Sequence, residues 1–214
     1  MQLRENKQYL PKFSLPKNII IFSDFNAALQ NAKEVLIAVP SDGLRGILLQ
    51  MKAFHKDFDI WWASKGFEVS TGLLPHNICE EIFGEDQKMA IISGPSFAIE
   101  VAENKPTAVT IASKNKDFSK YLAANISDLS FRAYTSHDIT GVEIGGAIKN
   151  ILAIGAGISD GLNYGDNARI ALINRGLVEM QRLGVALGAD NNTFLGLAGT
   201  VSYTHLTLPT SYAV

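Results

Sequence analysis

The chain has 214 residues, 47% of them hydrophobic and 19% charged, which excludes a disordered chain and gives enough apolar mass for one large or two small cores. Nineteen Lys and Arg against 21 Asp and Glu leave a net charge of −2, so there is no basic footprint and no nucleic-acid partner is expected. The single cysteine, Cys79, excludes an internal disulfide framework, and His55, His76, His137 and His205 are scattered without metal-ligand spacing, so no metal is expected. The N-terminal segment is polar and unlike a signal peptide. No apolar stretch is read as approaching the roughly 20 residues of a membrane span, so no integral membrane segment is expected. A reducing, cytoplasmic setting is the natural expectation.

The first two thirds alternate short apolar runs with helical patterns. Strands are predicted over 19–22, 35–39, 60–63, 89–93, 108–112 and 131–134, with helices over 25–32, 44–54, 73–83 and 116–125. Several strands are continuously apolar, the mark of parallel strands covered on both faces. This alternation predicts an α/β fold over 1–136 with a doubly wound, mostly parallel, Rossmann-like sheet.

From residue 137 the strand signals stop. The pattern becomes the start of an all-α domain over 137–200. One helix is predicted over 140–158, with Ile144, Ile148, Ile151 and Leu152 on one face. A second covers 167–187, with Asp166 or Asn167 as N-cap, Gly188 closing it and Ile170, Ile173, Leu177 and Met180 as its apolar stripe. A third is expected after Asp190. Residues 201–214 carry no charge and no helical period, and read as a non-native tail. A dinucleotide-binding domain opens with a strand, a Gly-rich turn and a helix, yet no GxGxxG occurs. Gly141, Gly145 and Gly146 have the wrong spacing and no preceding strand. The chain is therefore expected to lack a central strand, and to fold weakly or aggregate in isolation.

Three stretches could carry chemistry. In the helix from 140, Lys149 shares its side with Val142, Gly145, Gly146, Ala153 and Ala156. Either a ligand or another helix can approach such a small-residue stripe. A half-buried lysine there has a lowered pKa and suits general acid–base work; the structural alternative is a close helix crossing with the amine reaching water. Lys65 follows a predicted strand, at the carboxyl edge where open α/β sheets bind ligands, or is a solvated loop lysine. Ser93-Gly94-Pro95-Ser96 ends another strand; Pro95 is expected at a first helical position, with Ser96 and free N–H groups able to hold an anion, or to cap a plain turn. Trp61 and Trp62 read as core, Cys79 as a small packed hydrophobe, and Arg169 and Arg175 as solvated or bridging to Glu179.

Together and in order, Val39-Pro40-Ser41, Ala63-Ser64-Lys65-Gly66, Ser93-Gly94-Pro95-Ser96-Phe97-Ala98, Gly145-Gly146-Ala147-Ile148-Lys149-Asn150, Ser159-Asp160-Gly161, Asn167-Ala168-Arg169 and Leu197-Ala198-Gly199-Thr200 resemble the bacterial-type NAD(P)-dependent glycerol-3-phosphate dehydrogenases over nearly all of 1–200. The resemblance implies interconversion of dihydroxyacetone phosphate and sn-glycerol 3-phosphate with NAD or NADP, feeding glycerophospholipid synthesis. It implies Lys149 as the catalytic acid–base. Lys65, Gly94, Ser96, Lys149 and Asn150 become substrate-binding residues, and Lys65 and Ala98 cofactor-binding ones. Two ammonium groups near one carbonyl oxygen would stabilise its developing charge and each would depress the other's pKa. The implied partner is a phosphorylated triose, with room for a homodimer of the full-length protein. The family's Gly-rich fingerprint and its later substrate-contacting segment are not in this sequence, so the chain itself is expected to be inactive or nearly so. Two other readings stay open: a different two-domain NAD(P)-dependent hydroxy-acid dehydrogenase, and a non-catalytic ligand-binding module.

Overall fold

The computed structural model describes residues 4–54 and 56–196. His55, the 197–200 part of the family pattern and the tail at 201–214 lie outside the described residues. The chain opens with a small antiparallel pair, β1 (Glu5–Asn6) and β2 (Leu10–Ser14), which the polar composition of this segment did not announce.

After α1 (Phe25–Leu29), five strands form one sheet: β3 (Glu34–Ile37), β4 (Asp59–Trp62), β5 (Met89–Ser93), β6 (Thr107–Ala112) and β7 (Phe131–Ser136), in that spatial order. β3, β4 and β5 run parallel, as do β6 and β7, while β5 and β6 pair antiparallel. The sheet is mostly parallel and Rossmann-like. Its strands send alternate residues to opposite faces. Trp62 and Ile91 join a core with α2 (Leu44–Ala53) and α3 (Pro75–Phe83), around Leu48, Met51 and Ile78. Trp61 and Ala90 join a second core on the other face, against Phe118 and Leu122 of α5 (Lys116–Ile126). Cys79 is buried in the first core, where burial pushes its thiol up to about 12. A short α4 (Ala98–Ala102) follows β5.

The antiparallel step decides where the next helix runs. It puts the carboxyl ends of β4 and β5 on one edge of the sheet and the end of β7 on the other. α6 (Ile139–Gly161) starts beside β7, packs along β5 and crosses back. Ten residues of helix cover about 15 Å, close to the span of a five-residue strand, so Lys149 arrives at the far edge. Asp138 sets the start: its carboxylate accepts from Gly141 N at 2.8 Å, and also from Asp190 N at 3.0 Å and Thr193 Oγ1 at 2.5 Å. α7 (Asp166–Ala186) returns along α6, and a 3₁₀ turn, Asn191–Leu195, closes a third core around Ile144, Leu152, Met180 and Phe194.

Several expectations need correction. Residues 19–22 form no strand, and Ile20 is 74% exposed; an apolar run needs a neighbouring ladder, and among the described residues none pairs with it. Gly165, with a positive φ, rather than Asp166 or Asn167, caps α7; Asp166 instead sits in the first turn and pairs with Arg169 at 2.8 Å. Arg175 does bridge to Glu179, at 2.6 Å. Of the third helix expected after Asp190, the described residues form the 3₁₀ turn. Ile151 and Ile170 are exposed, because α6 and α7 meet along Ile144, Leu152 and Met180. α6 is a longer apolar stretch than was read from the sequence: it has 23 residues and, by length and composition alone, is apolar enough to cross a bilayer. Its first two turns are buried against the sheet, the packing of a core helix.

The layered cores give a direct stability test. Leu48→Ala, at a fully buried site, should cost about 2–5 kcal/mol in urea unfolding. Leu129→Ala, at a fully exposed site, should change it by less than about 0.5 kcal/mol.

Candidate functional site

The carboxyl ends of β4 and β5 lie side by side, since Trp62 pairs with Ile91. Three residues on from each come Lys65 and Gly94. Ser64 Oγ donates to Val39 O at 2.5 Å and ties the exit of β4 to that of β3. At Gly94 the backbone has φ +153°, and a Cβ there would sit 2.9 Å from Ala108 O and from Val109 Cα. Only glycine lets this turn close so tightly against β6.

α6 covers the same edge. Gly146 faces Ser93 Oγ and the stem of Lys65, at 3.1 and 3.4 Å from where its Cβ would lie. The missing side chain leaves room for Lys65 to lie along the helix. Beyond it opens a cavity of about 310 Å³, lined by Lys65, Gly94, Ser96, Phe97, Lys149 and Asn150. Five of the six site residues expected from sequence are thus brought together. Ala98 does not line the cavity; it is exposed at the first position of α4, next to Phe97. Pro95 is not a first helical residue either. α4 starts at Ala98 with Phe97 as its cap, so Ser96 lies in the turn before the helix.

Both lysines are half-buried. Burial, and next the charge of Lys65, lower the Lys149 amine to about 8, against an ordinary value of 10.5. Lys65 is lowered by burial, and its Nζ donates to Ala63 O at 3.2 Å. The expected repulsion thus registers on Lys149, after desolvation, while at Lys65 burial is the cause of the shift.

Sequence reasoning missed the carboxylate about one and two-thirds turns before Lys149. Glu143 is buried. Its Oε1 accepts from Trp62 Nε1 at 3.1 Å and from His76 N at 3.0 Å, and Oε2 meets His76 Nδ1 at 2.5 Å. Asn77 Nδ2 lies 3.0 Å from His76 Nε2; with the amide donating there, the imidazole proton belongs on Nδ1, facing the carboxylate. Burial pushes the Glu143 carboxyl above its usual range, and these donors oppose the shift. The available signal was a glutamate between Val142 and Ile144 on an otherwise apolar helix face, since a buried carboxylate needs donors.

Among the described residues no group of three or more His, Cys, Asp or Glu could hold a metal ion. A second depression, of about 500 Å³, lies at the opposite edge of the sheet, where Asp59 and Lys88 pair at 3.0 Å.

Comparison with known proteins points one way. Residues 1–119 match the family described as NAD-dependent glycerol-3-phosphate dehydrogenase N-terminus, and residues 138–207 the family described as its C-terminus. The glycerol-3-phosphate dehydrogenase [NAD(P)+] of Aeromonas hydrophila is 48% identical over 200 residues, and that of Mannheimia succiniciproducens 46% over 200 residues. Each alignment covers 92% of this chain, which spans 60% of the length of these relatives. The crystal structure of glycerol-3-phosphate dehydrogenase from Coxiella burnetii is similar at a TM-score of 0.87 and 42% identity, covering 92% of this chain and 60% of that one. The Plasmodium falciparum enzyme gives 0.84 and 27%, covering 94% and 57%.

Two measurements probe this geometry. Gly94→Ala should cost about 1–3 kcal/mol of stability through the forced backbone conformation. The Lys149 amine is lowered in the folded state, so between about 8 and 10.5 the unfolded chain binds the extra proton and stability rises with pH. Lys149→Met should therefore be more stable than the parent chain near pH 7, and the gap should narrow towards about pH 10 in urea melts.

Proposed function

The chain belongs to the NAD-dependent glycerol-3-phosphate dehydrogenase family, and from that premise we propose that the cavity between Lys65 and Lys149 is where dihydroxyacetone phosphate and sn-glycerol 3-phosphate are interconverted. The observation that carries this reading is the pair of half-buried ammonium groups in one cavity at the carboxyl ends of β4 and β5, with the Lys149 amine lowered to about 8. An amine poised there can hold or release a proton at neutral pH.

The residues divide the work by position. Lys149 gives its proton to the carbonyl oxygen during reduction and takes the hydroxyl proton during oxidation. The charge on Lys65 stabilises the oxygen as negative charge builds on it, in a space where water is partly excluded. The Ser96 hydroxyl and the Asn150 amide offer polar contacts that orient the triose phosphate. Gly94 lets backbone approach it closely.

NAD or NADP fits the same mouth. Phe97 is 70% exposed on the cavity rim, an apolar surface on which a flat ring can rest. Lys65 inside and Ala98 beside Phe97 are the residues that would hold the nicotinamide end. When bound, this cofactor supplies or accepts the hydride. The reading extends to a cytoplasmic enzyme acting on a small phosphorylated triose. A homodimer at full length is supported by the exposed Ile151, Ile154 and Ile158 along one side of α6.

In the full-length protein, Lys149→Met should lower kcat by about 10²–10⁴-fold. Because oxidation needs the neutral amine, kcat/KM for glycerol 3-phosphate should rise with pH through about 8. For dihydroxyacetone phosphate it should fall over the same range, and Lys149→Met should flatten both profiles. A substrate panel tests the class: turnover of a carboxylated hydroxy acid in preference to the triose phosphate would contradict the reading.

A further inference from the structure

We propose that Glu143 is a positioning residue for Lys149, setting the rotation of α6 on the sheet through its bonds to Trp62 and His76. This inference rests on the reading of Lys149 as the acid–base group, and goes beyond it by assigning a role to a residue outside the cavity.

Glu143 and Lys149 are six residues apart on one helix, roughly 9 Å along the axis and 120° around it. The carboxylate therefore points into the sheet and α3 while the amine points over the loops at 65 and 94. A helix lying on apolar side chains can roll at small cost, because dispersion and burial are non-directional. Hydrogen bonds are directional. Glu143 is anchored from two separate elements, by the indole of Trp62 on β4 and by both the backbone N–H and the ring of His76 at the start of α3. A roll about the α6 axis breaks these bonds and also drives Gly146 away from Ser93 and Lys65. The same roll swings the long Lys149 side chain across the cavity mouth. Displacements of about 1 Å suffice to slow a positioned reaction by about 10²-fold.

A plain packing role would be served by an apolar side chain. A fully buried carboxylate is a costly choice that contributes uniqueness of pose more than stability. Trp62 links this clamp to the site directly, since it lies three residues before Lys65 on β4.

The test uses Glu143→Leu, which fills the space without accepting, Glu143→Gln, whose amide oxygen still accepts from Trp62 and the His76 backbone N–H while the imidazole takes its other tautomer to accept from the new amide, and Trp62→Phe, which removes one donor. Leu122→Ala, in the core on the other sheet face, is the control for general loss of stability. In the 214-residue chain, the pH dependence of Lys149 acylation by acetic anhydride is followed by mass spectrometry. In the full-length protein, kcat and KM are measured for the triose phosphate. Glu143→Leu should move the midpoint from about 8 towards 10.5 and lower kcat at least tenfold, with KM changed less than about threefold. Glu143→Gln should stay within about threefold of the parent in kcat. If Glu143→Leu does not fold, Trp62→Phe carries the test with the same signs. A parent midpoint near 10.5 would overturn the acid–base reading and this inference with it. A parent midpoint near 8 that survives loss of the clamp, or that Leu122→Ala shifts equally, would overturn this inference alone.

Discussion

Lys65 and Lys149 share one cavity although like charges repel and burial strips water from both. That arrangement does not assemble by itself, and most of the described fold serves to hold it. Parallel pairing of β4 and β5 brings two loops to one edge. The antiparallel step to β6 sends α6 back across the sheet from the opposite edge. Asp138 fixes where α6 begins and Glu143 fixes how it is turned, each by accepting three hydrogen bonds. Gly94 and Gly146 leave out the side chains that would fill the space.

The same features lower stability. A desolvated lysine favours the unfolded chain at neutral pH. A glycine held at φ +153° loses more freedom on folding than another residue would. Glu143 is buried at the expense of its hydration. Their clustering around one cavity, while Leu48, Ile60, Ile111 and Leu122 elsewhere are fully buried apolar side chains, is the pattern of a site built for chemistry rather than for cohesion.

Much of this was legible in the sequence. Short apolar runs located β3 to β7, several of them continuous because strands covered on both faces carry no polar side, although β7 alternates and includes Arg132; the small-residue stripe around Lys149 marked a side open to a ligand or to another helix, and a cavity lies there. What escaped was non-local. The strand proposed at 19–22 failed because an apolar run says nothing about whether a neighbour lies beside it, and β1–β2 formed from polar residues for the converse reason. Ile151 was assigned to the buried stripe from helical phase alone, but the line of contact with α7 runs through Leu152. Helix termini slipped by a residue or more at α4 and α7, where a backbone turn outweighed the side chain expected to cap. The Glu143–His76–Trp62 cluster joins residues 67 and 81 positions apart, a separation that no local pattern spans; only the oddity of a carboxylate in an apolar stripe hinted at it.

The central claim is that the Lys149 amine faces a ligand space rather than a neighbouring helix. It is tested most directly by ¹³Cε NMR titration of Lys149 in the 214-residue chain, with and without glycerol 3-phosphate. The expected result is a midpoint near 8 that moves when the phosphorylated ligand is added. A midpoint at the ordinary 10.5, indifferent to the ligand, would contradict it.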